Sequence, residues 1–142
     1  MAQFGEFVVN HWLLVLALVV ILVLIIAGEA QRKVLGFADI KPQEAVRLMN
    51  QEDAIALDVR DDQEYKQGHV INAVHIPLGL LDKRLGELEP HKDKPIVVYC
   101  RTGQRSAQAG VQLRKQGYTR IYKLGGGMLA WQGADLPVTT KK

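Results

Sequence analysis

The most reactive group in this sequence is a single cysteine, Cys100, which directly follows the apolar run 95–99. It opens the heptapeptide Cys-Arg-Thr-Gly-Gln-Arg-Ser, which leads into a segment with helical spacing. Gly103 permits a tight loop, and successive backbone N–H groups in such a loop can surround an anion. The start of the following helix adds positive potential. The pattern therefore predicts a cysteine thiolate beside an anion-binding loop.

The anion loop is defined by six residues after the cysteine: Arg101, Thr102, Gly103, Gln104, Arg105 and Ser106. The two arginines favour both the thiolate and an anionic substrate next to it. The alternative is that Cys100 is a small hydrophobic side chain buried in the core. The electropositive surroundings favour the nucleophile over that alternative.

Other reactive side chains add little to the predicted site. His69, His75 and His91 lie in a predicted loop, strand and linker, and we assign none of them a catalytic role. One cysteine excludes an intramolecular disulfide and argues against a cysteine-based zinc site. The net charge of +3 comes from scattered basic residues without an aromatic platform, so no nucleic-acid partner is predicted.

Alternating strands and helices must position the loop. Helices are predicted at 41–49, 78–88, 106–116 and 128–131, and strands at 54–59, 73–76, 95–100 and 120–124. The continuous apolar run before Cys100 is typical of a strand buried on both faces. This order predicts an α/β fold with a mostly parallel central sheet flanked by helices. Binding sites in such sheets lie beyond the carboxyl ends of the strands, which is where Cys100 falls.

The N-terminal residues form a separate apolar segment. From Phe7 to Gly28 the chain has 22 residues without Asp, Glu, Lys or Arg. A helix of that length reaches about 33 Å, enough to cross a bilayer. We therefore predict one transmembrane helix over about 8–28. A cleaved signal peptide is disfavoured because no basic residue precedes the apolar core, and a buried core helix because every face is apolar.

The positive-inside rule orients this helix. No Lys or Arg precedes the span, whereas Arg32 and Lys33 follow it. The prediction is an outer N-terminus and a cytoplasmic C-terminal domain. The predicted organisation is an N-terminal segment at 1–28, a connector at 29–34, a domain at 35–138 and a tail at 139–142.

Four motifs in this order resemble the single-domain rhodanese (sulfurtransferase) family over residues 35–138. They are Asp58-Val59-Arg60 with Glu64-Tyr65, Gly68-His69-Val70-x-x-Ala73-x-x-Ile76-Pro77, Cys100 to Ser106, and Gly125-Gly126-Gly127-Met128-x-x-Trp131. With the apolar segment, the chain is similar to membrane-anchored bacterial rhodaneses. That resemblance implies a single-pass protein of the cell inner membrane.

The resemblance implies a thiosulfate sulfurtransferase (rhodanese-type) in which Cys100 carries sulfur as a persulfide. The donor is then a small anion such as thiosulfate or a persulfide, and the acceptor is a thiol, cyanide or a protein. The anion loop would hold the donor and the persulfide, with no metal or organic cofactor. Asp58, Arg60 and Glu64 would support the loop as an ion-pair network, since buried charges are normally paired; direct substrate contact is the alternative.

Two other functions remain to be weighed. Related cysteine-dependent phosphatases place an arginine six positions after the cysteine, where this chain has Ser106, one position after Arg105. That shorter loop matches the sulfurtransferase pattern. Rhodanese folds also serve as protein-interaction modules with little or no turnover, although such copies usually lose the cysteine. The span itself could pair with helices of other membrane proteins.

Overall fold

The computed structural model describes the backbone of residues 1–142 and the side chains of residues 1–30 and 34–142. The chain forms two compact units, Met1–Leu35 and Gly36–Lys142. The orientation prediction depends on Arg32 and Lys33, whose side chains are not among those that the structure describes.

The N-terminal unit consists of two helices. Helix α1 spans Ala2–Asn10 and helix α2 spans Trp12–Leu35, with a break at His11, so the span expected from residue 8 is not one continuous helix. The stretch Trp12–Ala30 has a mean hydropathy of 3.0 over 19 residues, which is long and apolar enough to cross a membrane. Such a helix could be a membrane anchor or a signal sequence.

The connector expected at 29–34 is helical and continues α2 to Leu35. Ala, Gln, Arg, Lys and Leu are good helix formers, which explains why the helix does not stop at the end of the apolar run. Gly36 follows with a φ of +72°, the left-handed conformation that commonly ends helices.

Seven strands build the C-terminal unit: β1 Ala38–Ile40, β2 Ile55–Asp58, β3 His69–Val70, β4 Val74–His75, β5 Ile96–Tyr99, β6 Ile121–Leu124 and β7 Val138–Thr139. Five of them form one parallel sheet in the order β1-β6-β5-β2-β4. Strands β3 and β7 pair antiparallel in a second, two-stranded sheet. The predicted mostly parallel α/β fold is confirmed.

Four helices flank the main sheet: α3 Pro42–Gln51, α4 Asp62–Gln67, α5 Gln104–Lys115 and α6 Gly127–Gly133. Helices α3 and α6 pack with Val97 and Tyr99 of β5 in one hydrophobic cluster, which includes Trp131. Successive side chains of a strand point to opposite faces. Ile96 and Val98 are also buried, and α5 packs against β5 and β6. The central strand is therefore covered on both faces.

The helix predicted at 78–88 is wrong. The chain there forms three short 3₁₀ helices, at Leu78–Leu80, Leu85–Glu87 and Glu89–His91. Gly79 and Gly86 weaken a continuous α-helix. Leu81 and Leu88 are nevertheless buried, so the leucine spacing reports contact with the core rather than α-helix.

Four elements were missed from the sequence. Helix α4 overlaps residues 60–64, whose polar sequence predicts a loop, and Asp61 and Glu64 form a capping box at its start. Strands β3 and β7 have two residues each, and Thr139 of the expected tail pairs with His69. Strand β1 is the edge of the main sheet. Elements this short carry too little periodicity to be identified.

Candidate active site

Cys100 directly follows β5, the central strand of the main sheet, and is 1% exposed. Two hydrogen bonds from the start of α6 fix the backbone here. The N–H of Met128 donates to the carbonyl of Cys100 at 2.8 Å, and the N–H of Leu129 donates to that of Arg101 at 3.3 Å. Helix α6 thus holds the first two residues of the heptapeptide.

Gly127 allows this close approach. Its φ is +57°, and a Cβ atom at this position would overlap the carbonyl oxygens of Cys100 and Arg101. A residue with a side chain would push α6 off the loop. The last of the three glycines in the 125–127 turn therefore has a packing role at the cysteine.

The structure brings Cys100, Gly103 and Ser106 together. The N–H of Gly103 donates to Cys100 Sγ at 3.1 Å, and the thiol donates to Ser106 Oγ at 3.6 Å. The Ser106 hydroxyl in turn donates to the carbonyl of Gly103 at 2.9 Å. Gly103 has a φ of +135° and is the N-cap of α5, so the sulfur lies at the N-terminal end of this helix.

Hydrogen-bond donors around the sulfur lower the pKa of the Cys100 thiol. Burial alone would raise the pKa of Cys100, but the Ser106 hydroxyl and the backbone N–H groups of Ser106, Thr102 and Gly103 outweigh it. The pKa of Cys100 therefore lies below that of an ordinary thiol. Hydrogen bonds to the charged form favour that form. When the thiol ionises, the Ser106 hydroxyl can turn and donate to the sulfur.

The remaining loop residues face different surroundings. Arg101, Thr102 and Gln104 are exposed, Arg105 is half-buried, and Ser106 is fully buried. A pocket of about 280 Å³ opens beside the loop, and its lining includes Arg60, Glu64, Arg101, Met128, Leu129 and Gln132. The Arg101 side of the loop therefore borders a space large enough for a small anion.

Arg105 makes a bidentate ion pair with Glu64. Its Nη1 donates to Oε2 at 2.7 Å and its Nη2 to Oε1 at 2.9 Å. This contact lowers the pKa of Glu64 to about 2, and the ionised carboxylate raises the pKa of Arg105 further. The negative charge of Cys100 also raises the pKa of Arg105, so cation and sulfur are electrostatically coupled.

Asp58 and Arg60 form a second, buried network. Arg60 Nη2 donates to Asp58 Oδ2 and to the carbonyl of Gly68, both at 2.7 Å. The hydroxyl of Tyr99 donates to Asp58 Oδ2 at 2.8 Å and accepts the N–H of Val70 at 3.1 Å. Burial and the Asp58 carboxylate raise the pKa of Tyr99, which keeps its phenol protonated. Asp58, Arg60 and Glu64 therefore belong to two networks rather than one.

Two residues near the loop were missed from the sequence. Tyr99 ends an apolar strand, and a buried tyrosine hydroxyl needs a partner, which was the available signal. Lys123 is a cation inside the otherwise uncharged strand β6, and its Nζ approaches Gly103. The sequence pattern alone does not reveal which strand end lies beside the loop.

The histidines lie in other contacts. The rings of His69 and His75 stack on either side of Tyr65, with centroids 3.7 and 4.2 Å away. His75 Nε2 donates to the carbonyl of Arg60 at 2.8 Å. His91 is in the third 3₁₀ helix. Among the side chains the structure describes, no three His, Cys, Asp or Glu residues are grouped to hold a metal.

Comparison with known proteins adds an independent finding. The sequence model of the rhodanese-like domain matches residues 41–134. Over the full length of both chains, this protein is 30% identical to YibN of Escherichia coli K12. It is 40% identical to a sulfurtransferase of Allochromatium vinosum over 92 residues, covering 65% of this chain and 84% of that one. The crystal structure of a rhodanese-related protein from Thermoplasma volcanium superposes with a TM-score of 0.64 at 28% identity, covering 74% of this chain and all of the other.

Proposed function

This chain belongs to the family of rhodanese-like domains, and on that premise we propose that it transfers sulfane sulfur through a persulfide on Cys100. Its sulfurtransferase relatives support sulfur transfer in general. The finer proposal is transfer from thiosulfate or a persulfide donor to a thiol or cyanide acceptor. The observation that carries it is the Cys100 sulfur, held by the Gly103 N–H at 3.1 Å at the start of α5.

In the first step, the Cys100 thiolate attacks the sulfane sulfur of thiosulfate. The sulfur–sulfur bond of thiosulfate breaks, its electron pair leaves with sulfite, and the cysteine becomes a persulfide anion. The loop amides and the N-terminus of α5 face the negative charge in both states. Arg101 is exposed and lines the pocket, which supports a role for it in meeting the incoming dianion.

In the second step, a thiolate or cyanide attacks the outer sulfur of the persulfide. The bond to Cys100 Sγ breaks, and its electron pair returns the cysteine to the thiolate. The Gly103 N–H and the Ser106 hydroxyl stabilise the leaving thiolate. The chain has one cysteine, so the accepting thiol must come from another molecule.

We assign the remaining residues of the site by their contacts. Arg101, Thr102, Gly103, Gln104, Arg105 and Ser106 form the substrate-binding loop. Asp58 and Arg60 support the strand ends around the cysteine, and Glu64 holds Arg105. These three supporting residues engage protein groups, which favours a supporting role over substrate contact.

The test is the chemistry of Cys100 in the full-length chain purified in a mild detergent. Incubation with thiosulfate should add one sulfur, about 32 Da, to Cys100 by mass spectrometry. Cyanide should then remove that mass and release thiocyanate. The matched control is Cys100→Ser. Thiocyanate formation equal in the two proteins would overturn the proposal. Absence of a Cys100 adduct with both thiosulfate and a persulfide donor would leave the interaction-module function instead.

We further propose that α2 anchors this domain on the cytoplasmic face of the bacterial inner membrane. The 19-residue apolar stretch Trp12–Ala30 supports the anchor, and Arg32 and Lys33 directly after it support the orientation. External protease added to intact spheroplasts should leave residues 35–138 undigested, and lysis should expose them. Digestion before lysis would reverse the orientation. Full release of the chain by a carbonate wash would exclude the anchor.

A further inference from the structure

Lys123 lies at the carboxyl end of β6, beside the strand that leads to Cys100. It is in register with Val98 of β5. Its side chain is 19% exposed, and its Nζ is 3.4 Å from Asp39 Oδ1. A Cβ built on Gly103 would be 3.5 Å from that Nζ, so the ammonium lies close to the anion loop.

The N-terminal end of α5 is an unfavourable place for a cation. Gly103 is the N-cap of α5, and the N-terminal end of a helix carries partial positive charge. Lysines are favoured at the opposite end, where α5 indeed carries Arg114 and Lys115. Asp39 compensates Lys123 only in part, because the carboxylate is 42% exposed and the contact is long. Negative charge on the sulfur removes this conflict.

The sulfur and the ammonium both lie beside the same residue of the loop, Gly103. Cys100 Sγ accepts the N–H of Gly103, and the Lys123 Nζ lies 3.5 Å from the position that a Cβ of Gly103 would take. Besides Lys123 with Asp39, the charged groups that border the loop or its pocket are Arg101, Arg105 with Glu64, and Arg60 with Asp58. Lys123 is the one that approaches from the side of β6.

We propose that Lys123 is a positioning residue of the anion loop, whose ammonium stabilises negative charge on Cys100 through Gly103. For the thiolate this rests on the geometry alone, and for the persulfide it rests on the proposed function. Asp39 moderates the effect, because it neutralises part of the same charge. Removing the charge of Lys123 and removing the charge of Asp39 should therefore shift the pKa of Cys100 in opposite directions.

The test is the pH dependence of iodoacetamide alkylation at Cys100, the only cysteine of the full-length chain. Lys123→Gln should raise the midpoint of the profile and slow alkylation about two- to fivefold below that midpoint. Asp39→Asn should lower the midpoint, and Lys123→Arg should match the wild type. Lys115→Gln, which removes the same charge from the other end of α5, is the matched control and should change nothing.

Two results would overturn the proposal. One is a Lys123→Gln profile identical to the wild type. The other is a shift of Asp39→Asn in the same direction as Lys123→Gln, which would mean that both act through packing. Because Asp39→Asn and Lys123→Arg retain a cation at β6, they test the charge even if Lys123→Gln does not fold. Alkylation needs no sulfur donor, so failure of the persulfide assay would be a separate result.

Discussion

Two charge networks border the cysteine loop, and they differ in burial. In the first, the side chains of Asp58 and Arg60 are 0% and 6% exposed. In the second, those of Glu64 and Arg105 are 25% and 35% exposed. Breaking a buried pair leaves an uncompensated charge away from water, whereas an exposed pair is partly replaced by solvent. The first network should therefore govern stability and the second the charge at the loop.

Their connections fit this division. The buried network joins the ends of three strands, because Arg60 reaches the carbonyl of Gly68 and Tyr99 reaches the N–H of Val70. The exposed pair joins α4 to the first turn of α5, where Arg105 is coupled to the Cys100 charge. The Asp58–Arg60 network connects the strand ends around the cysteine, and the Glu64–Arg105 pair sets part of the charge next to Cys100.

The largest loss of stability is expected from Asp58→Ala. It leaves Arg60 buried without its carboxylate, which should lower the free energy of unfolding by about 3–5 kcal/mol. Urea unfolding of the full-length chain in detergent measures this through Trp131 fluorescence, in a Trp12→Phe background. The control is Glu87→Ala, which breaks the exposed pair with Arg84. Equal losses in the two variants would contradict the division between the networks.

A smaller loss of stability is expected from Tyr99→Phe, which keeps the aromatic ring but removes the hydroxyl. The N–H of Val70 and one oxygen of Asp58 then lose a buried partner, which should cost about 1–3 kcal/mol. The same unfolding assay applies. Tyr122→Phe, at a half-buried tyrosine on the neighbouring strand, is the control. A Tyr99→Phe variant as stable as that control would remove the hydroxyl from the network.

The sequence predicted one part of this arrangement and not the other. The buried strand before Cys100 and the Gly103 loop follow from local patterns, apolar continuity and a glycine in a polar stretch. The assignment of Asp58 and Glu64 to two different networks does not follow from such patterns, because Glu64 is in α4, and the polar residues 60–64 predict a loop there rather than a helix. Lys123 was missed for a different reason, because β1, β6 and the loop come together only through the strand order of the sheet.

Arg105→Gln should affect the loop more than the fold. Because the pair is partly exposed, the free energy of unfolding should change by about 1 kcal/mol or less. The loss of a cation coupled to Cys100 should slow iodoacetamide alkylation below the thiol midpoint about two- to fivefold. Glu64→Gln frees the Arg105 charge and should not slow alkylation. A large loss of stability with unchanged alkylation would assign this pair to the scaffold.

The smallest expected effect is the acid sensitivity that Glu64 confers. Its pKa falls from 4.5 to about 2 in the folded chain because Arg105 donates to it. A carboxylate with a lowered pKa stabilises the fold above its ordinary value, and that stabilisation is lost as the pH falls from 4.5 towards 2. Glu64→Gln should therefore be less stable than the wild type at neutral pH.

The difference in the free energy of unfolding between the two proteins should disappear across that acid window, because protonated Glu64 is as uncharged as Gln. The other carboxylates titrate equally in both proteins and do not contribute to the difference. Its size should be about 1 kcal/mol or less, since the pair is partly exposed. Urea unfolding from pH 7 to pH 2 measures it. Stability curves of the two proteins that stay parallel over the whole range would mean that Arg105 does not hold Glu64 in solution.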